Sequence, residues 1–246
     1  MVRGGPRSVR PRFLPLLALV SLATACRHAP VAEDPSRAVA RRRTLLLDPD
    51  AAFWRTPAPD TIHVRLETSK GTVVIEAYRD WAPIGVDRFY GLVRAGFFDD
   101  SRFFRVLPGY IAQFGIPGDP AVTAVWADRA LADDPPRQSN LRGTVAYAMR
   151  GPNDRRTQLY INLADNIRND REPFAVLGRV VYGMDVVDRL EGEYGERSGG
   201  GMRGGKQERV LREGNTYLDR EFPRLDRIVR ATIVQPVKRP PRIDER

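Results

Sequence analysis

Phe103-Phe104-Arg105-Val106-Leu107-Pro108-Gly109-Tyr110-Ile111-Ala112-Gln113 sets a single arginine inside an aromatic and branched run. Two short strands read from this stretch, 102–107 and 110–114. By residue type alone, Arg105 is a charge on a barrel face, Tyr110 and Ile111 are core, and Gln113 is a strand glutamine facing water. Upstream, Ile62-His63-Val64-Arg65-Leu66-Glu67-Thr68 alternates with period two, Ser69-Lys70-Gly71 is a turn signal, and Thr72–Tyr78 is a second strand. The pair predicts a hairpin. Pro83 then opens a helix with Val86, Phe89, Tyr90 and Val93 on one face, and Gly96 ends it. Downstream, strands are predicted at 143–148, 158–162, 174–181 and 227–234. A helix is predicted over 183–191, with Val186, Val187 and Leu190 on one side, and a short one over Thr216–Phe222 stopped by Pro223. Gly195 to Gly205 is a glycine-rich loop without the strand-to-helix spacing of a phosphate cradle, and reads as a flexible insertion. Many short strands with two main helices predict an all-β, closed antiparallel barrel.

The opening stretch resembles the signature that surrounds the catalytic arginine of the cyclophilins. A second block agrees with the same family: Gly143-Thr144-Val145-Ala146-Tyr147-Ala148-Met149-Arg150-Gly151-Pro152-Asn153, then Thr157-Gln158-Leu159-Tyr160-Ile161-Asn162. A third is Pro173-Phe174-Ala175-Val176-Leu177-Gly178-Arg179-Val180, running into Gly183-Met184-Asp185-Val186-Val187-Asp188. With Gly71 in the first hairpin and Ala82-Pro83 at the first helix, the resemblance spans roughly residues 62–192 in order, plus the last strand. It implies a closed eight-stranded antiparallel barrel capped by two helices, here with a short extra C-terminal helix. It also implies peptidyl-prolyl cis/trans isomerase activity on proline-containing polypeptides, with no metal and no cofactor.

Carried over residue by residue, the match places Arg105 on the catalytic arginine. Tyr110, Ile111 and Tyr160 fall on the apolar proline pocket. Gln113 and Gln158 fall on groups that hold the substrate backbone and orient the arginine, and Ala148 and Met149 on the strand edge that receives the peptide. Phe174 falls on a pocket wall where family members commonly have His. The chain departs from the pattern at Phe104, which replaces a His before the arginine, and at Arg155-Arg156, where small residues and Asn-Gly are usual. Asn169-Asp170 stand where a Leu and an aromatic usually close the pocket, and Phe114–Asp119 is longer than the usual Gly-Gly-Asp. These changes bear on substrate preference and inhibitor binding and leave the arginine in place. A cyclophilin-like module that binds proline-containing chains without turning them over is the alternative reading.

Composition agrees with a mechanism that needs no nucleophile, metal or general base. The chain has one cysteine, Cys26, and two histidines, His28 and His63, so a His/Cys zinc site lacks ligands. His28 lies beside the N-terminal apolar run and His63 in a strand alternation, so a Ser-His-Asp triad has no well-placed base. The net charge of +9 invites a nucleic-acid reading. Four of those charges, Arg3, Arg7, Arg10 and Arg12, precede the first apolar run, and the remaining arginines are interleaved with Asp and Glu. A solvated surface and no nucleic-acid partner are therefore expected, and the chain is expected to be a monomer.

Residues 1–25 have the three parts of a secretory signal: the basic start, the apolar run Phe13–Leu22, and Ala23-Thr24-Ala25 before Cys26. The run is short for a permanent span. Leu22-Ala23-Thr24-Ala25-Cys26 resembles a bacterial lipobox, with Leu one position earlier than the usual pattern. It implies a lipid on Cys26 and anchoring to a bacterial membrane, facing the periplasm or the exterior. Ala23-Thr24-Ala25 also suits ordinary cleavage and release. Arg27 after the cysteine, rather than Asp, points to the outer membrane where the cell has one. A third possibility is docking of an arginine-rich face on anionic lipid. Residues 26–60 read as the lipidated Cys and a linker, in which Leu45-Leu46-Leu47 docks on the domain or begins a short helix near Ala51–Trp54. The isomerase domain is expected over 61–235, with the insertion at about 195–206, and a basic, Pro-rich tail over 236–246.

Overall fold

The computed structural model describes residues 1–2, 34–199 and 207–235. The chain divides into two units, Met1–Asp34 and Pro35–Arg246, and every element below belongs to the second. Cys26 and the N-terminal apolar run lie outside the described residues, as does the tail from 236.

Strands β1 (Thr61–Thr68) and β2 (Gly71–Tyr78) form the predicted hairpin, with Thr68 opposite Gly71 across Ser69-Lys70. Gly71 sits at φ 135°, a backbone conformation that a side chain strains. Alternation decides the faces: Ile62, Val64 and Leu66 turn into the core with Val73 and Ile75, while His63 faces out and meets Glu76. Helix α1 (Pro35–Leu46) precedes the hairpin and α2 (Pro83–Ala95) follows it. Val86, Phe89, Leu92 and Val93 of α2 are buried, and Gly96, in the left-handed region, ends the helix. The first free amides of α2 are capped from a distance, because the Asp134 carboxylate accepts from Ile84 N at 3.0 Å and Gly85 N at 2.8 Å.

The remaining strands are β3 (Ser101–Arg102), β4 (Arg105–Leu107), β5 (Ile111–Phe114), β6 (Thr144–Tyr147), β7 (Leu159–Asn162), β8 (Val176–Tyr182) and β9 (Arg227–Val234). They form one antiparallel sheet in the order β3-β9-β1-β2-β8-β6-β7-β5-β4. The expected closed eight-stranded barrel is thus corrected to a curled nine-stranded half-barrel. The physical reason lies at Phe103-Phe104. The single strand expected over 102–107 breaks there, and its two pieces become the two opposite edges of the sheet. β3 pairs with β9 and β4 with β5, and the two pieces do not pair with each other, so the ladder stays open between them. Phe103 N donates to Asp226 O at 2.9 Å, and its ring turns into the core against Phe114.

More helix is present than the sequence suggested. Helix α3 (Pro120–Trp126) starts on an Asp119 side chain that accepts from Ala121 N. Helix α4 (Met184–Asp188) is shorter than the predicted 183–191. Helices α5 (Gln207–Glu213) and α6 (Asn215–Glu221) enclose a second apolar cluster of Phe104, Ile116, Val210, Leu218 and Leu225. The expected linker is docked from Pro35 onward. Leu46 is buried in the main core, Trp126 Nε1 donates to Leu46 O at 2.9 Å, and Trp54, in a 3₁₀ turn over Ala52–Arg55, packs its ring 4.7 Å from Trp126. Among the described residues, no helix is long and apolar enough to cross a membrane.

Candidate active site

The outer face of the sheet carries a row of directly opposed residues. Arg105 on β4 faces Gln113 on β5, Gln113 faces Tyr160 on β7, Tyr160 faces Ala146 on β6, and Ala146 faces Val176 on β8. Opposed residues share a face, and positions two apart in a strand repeat it. The alternate residues Ala112, Phe114, Val145, Leu159 and Ile161 fill the core inside the curl. A guanidinium, an amide and a tyrosine ring are therefore lined up across three neighbouring strands by register alone.

Beside the arginine the row is apolar. Ile111, Ala146, Ala148, Tyr160 and Val176 form a separate buried cluster, against which Trp81, Tyr110 and Phe174 pack. Phe174 stands edge-on to Tyr160, with ring centroids 5.9 Å apart. The Tyr160 hydroxyl donates to Asn140 Oδ1 at 2.8 Å, and burial raises it far above the usual phenol range, so it stays neutral. Tyr110 lies under the Arg168 guanidinium, 4.6 Å from its ring, and its hydroxyl donates to Asn169.

Arg105 is only 8% exposed, yet its charge is met on two sides. Its Nη1 donates to Gln113 Oε1 at 3.2 Å; Nε and Nη2 donate to Glu196 Oε1 at 3.1 and 2.6 Å. Gln113 is itself oriented, because its Nε2 donates to Gln158 Oε1 at 2.9 Å, and Gln158 Nε2 donates on to Gln207 Oε1 at 3.1 Å. The reading of Gln113 by residue type alone, as a water-facing strand glutamine, is corrected: Gln113 is fully buried, and its amide is fixed by neighbours, while Gln158 is half-buried.

A cleft of about 280 Å³ adjoins the apolar cluster and shares Ala148 with it. Met149, Gln158 and Gln207 line the cleft, with Arg150 and Arg156 also on its wall. Arg105, Tyr110, Ile111, Tyr160 and Phe174 do not line it, so the sequence-predicted residues divide into two neighbouring places. Ala148 follows β6, and its N donates to Gln158 O at 2.9 Å. Met149 belongs to the cleft rather than to the apolar cluster.

The departures noted in the sequence acquire distinct roles. Phe104 anchors the second apolar cluster. Arg155 is fully buried outside the site, bound to Asp134 at 2.9 Å and lying over the Tyr147 ring. Asp170 accepts from Asn140 N at 2.8 Å, Asn140 Nδ2 at 2.9 Å and Ser139 Oγ, which holds its carboxyl below the usual range against the opposing effect of burial. The loop expected to be a flexible insertion is corrected over its described part. Ser198 Oγ donates to Phe104 O at 2.7 Å, and a Cβ at Gly199 would lie 2.2 Å from the Phe104 ring. Trp81, Glu196, Gln207 and Asn140 were missed from sequence; Trp81 stands next to the Ala82-Pro83 helix start, and nothing local singled out the others.

Residues 63–211 match the family model described as cyclophilin type peptidyl-prolyl cis-trans isomerase/CLD. The chain is 34% identical over 146 residues to peptidyl-prolyl cis-trans isomerase A of Dickeya dadantii, a match covering 54% of this chain and 73% of that protein. It is 32% identical over 145 residues to peptidyl-prolyl cis-trans isomerase B of Escherichia coli, covering 55% and 88%. The fold is similar to the crystal structure of a Cryptosporidium parvum cyclophilin type peptidyl-prolyl cis-trans isomerase. That match has a TM-score of 0.53 and 18% identity, and covers 72% of this chain and 99% of that one.

Proposed function

The chain belongs to the cyclophilin-type peptidyl-prolyl cis-trans isomerase family, and from that premise we propose that Arg105 is the catalytic residue and the Tyr160 cluster the proline seat. The activity is rotation of the X–Pro bond, whose barrier for a peptide bond is about 18–20 kcal/mol because the nitrogen shares its lone pair with the carbonyl. At the twisted transition state that sharing is lost. The prolyl nitrogen becomes pyramidal and a better acceptor. A fixed donor then binds the twisted amide more tightly than the planar one, which is the differential binding that accelerates a reaction. Arg suits the role because it remains protonated and presents its donors in a rigid fork. A largely buried site strengthens the bond it makes.

The observation that carries this reading is the row Arg105–Gln113–Tyr160. It sets the guanidinium beside an apolar floor of Ile111, Ala146, Ala148 and Tyr160, walled by Tyr110 and Phe174. A pyrrolidine ring on that floor leaves its nitrogen toward the arginine. The peptide would continue past Ala148 and Met149 into the adjoining cleft, where Gln158 stands between the two places. A related enzyme was crystallised in the presence of the dipeptide Ala-Pro, which supports a proline-containing substrate here. The test is proline-limited refolding of a protein substrate with wild type and Arg105→Ala. A loss of about a hundredfold is expected; equal rates would remove Arg105 from the mechanism.

The clients are proposed to be exported proteins, met by an enzyme tethered through a lipid on Cys26, in the outer membrane where there is one. The support is sequence alone: the basic start, the apolar run 13–22 and the lipobox-like 22–26. Cell fractionation of wild type and Cys26→Ser tests it, with release of the variant from membranes expected. Pairing of surface arginines with acids, as in Arg79–Asp87, Arg129–Asp50 and Arg142–Asp188, supports the absence of a nucleic-acid partner.

A further inference from the structure

Arg105 leaves a question that its place in the row does not answer: what keeps a nearly buried cation aimed at the proline seat. A buried charge is costly unless it is paired. Gln113 supplies a dipole but no charge. Among the described residues, Glu196 is the one carboxylate within ion-pair distance of Arg105, at 2.6 Å.

The way Glu196 binds is selective. Its Oε1 accepts from Nε and Nη2 together, which occupies one edge of the guanidinium. Gln113 Oε1 takes one hydrogen of Nη1. A guanidinium has five N–H donors, one on Nε and two on each Nη. One donor on Nη1 and one on Nη2 therefore remain for a substrate. The pair pins the guanidinium by one edge while the outer hydrogens stay available.

The carboxylate is itself held in place. The turn that carries it closes with Gly195 N on Gly192 O at 3.1 Å and Arg197 N on Tyr194 O at 2.9 Å, with Gly195 in the left-handed region at φ 56°. On one side Tyr194 packs against Phe222, with ring centroids 5.2 Å apart. On the other side the buried Ser198 bonds the carbonyl of Phe104, the residue before the arginine. Glu196 is thus flanked by a ring contact to Phe222 on one side and by a bond to the residue before β4 on the other, while its own side chain is 55% exposed.

We propose that Glu196 is the positioning residue for Arg105, a carboxylate that clamps the guanidinium by its Nε edge so that the remaining Nη hydrogens meet the twisting prolyl amide. This rests on the assignment of Arg105 as the catalytic residue. Without the clamp the head of Arg105 is freed to swing toward water, so the transition state loses its donor while the apolar seat for proline is untouched.

The experiment is steady-state isomerisation of a proline-containing peptide by wild type, Glu196→Ala, Glu196→Gln and Arg105→Ala, with thermal unfolding of each. Glu196→Ala is expected to lower kcat about tenfold with KM within about twofold of wild type, the signature of lost orientation rather than lost binding. Glu196→Gln keeps an oxygen acceptor at Oε1 and is expected to recover most of that loss. In wild type the Arg105 Nε–H gives a protected proton resonance that Glu196→Ala abolishes. Because Glu196 is half exposed, unfolding midpoints are expected to stay together. An Ala variant with wild-type kcat, or with a raised one, overturns the proposal; so does a loss confined to KM. If Arg105→Ala is itself fully active, the assignment of the arginine fails instead.

Discussion

The hydroxyl of Tyr160 lies 2.8 Å from Asn140 Oδ1, so the ring proposed to floor the proline seat is tethered by its hydroxyl. Asn140 is in turn held by Asp170, and its Oδ1 also accepts from Asn162 Nδ2 at 3.2 Å. Tyr160→Phe removes the tether and leaves Asn140 Oδ1 a second donor. A stability loss of about 1 kcal/mol is expected. The ring remains in place, so isomerisation rates should stay near wild type. Urea unfolding and a peptide assay check the two halves separately, and a large activity loss would place the hydroxyl in the chemistry.

Asp170 links this tether to acidity. Burial alone would raise its carboxyl, but hydrogen bonds from Ser139 and Asn140 outweigh it and hold it below the ordinary 3.8. A carboxyl lowered in the folded state contributes stability above its unfolded value and loses it as pH falls through the folded one. Unfolding midpoints from pH 7 down to the most acidic pH tolerated should therefore fall steeply below the ordinary carboxyl range. Asp170→Asn is expected to be less stable at pH 7 and to show a flatter acid limb. An unchanged acid limb would show that other carboxyls dominate it.

Arg155 is fully buried against Asp134, which also caps α2 through Ile84 N and Gly85 N. Removing one partner of such a pair leaves an unpaired buried charge. Arg155→Ala is expected to cost about 3–5 kcal/mol by chemical denaturation. The cost should appear in folding rather than in kcat of the folded fraction, since the partners of Arg155 are Asp134, Asp133 and Ala132 O, away from Arg105 and the proposed proline seat.

Leu46 tests whether residues before the hairpin are part of the folded body. Its side chain is buried in the main core, and its carbonyl accepts from Trp126 Nε1. Leu46→Ala is expected to lower stability by about 2–3 kcal/mol. A tether without contacts would show no change in the denaturation midpoint.

Legibility in the sequence followed locality. The hairpin, α2 and most of the strands were readable because period-two alternation and the Pro83 to Gly96 punctuation act within a few residues. The break at Phe103-Phe104 was not, because two aromatics continue a strand pattern. Only the pull of Phe103 into one core and Phe104 into another separates β3 from β4. Arg105, Gln113 and Tyr160 were named from the resemblance, and their alignment follows from register. Glu196 was hidden because glycines nearby suggested looseness, whereas here Gly195 and Gly199 permit a tight turn and a close approach to Phe104. Helix α1 was read as linker because its arginines mask the single apolar side, Leu46 foremost, that docks.

The break at Phe103-Phe104 has a consequence for how the protein meets its clients. An open sheet has two borders, and an unpaired border is a template on which any stretched polypeptide adds itself as one more strand. Here both borders are two or three residues long, and at β4 the chain's own 192–199 turn already lies against the backbone through Ser198. A proline-containing chain held at the proposed seat is therefore not drawn onto the sheet as a further strand. Turnover needs that separation, because a catalyst of unfolded chains has to let them go.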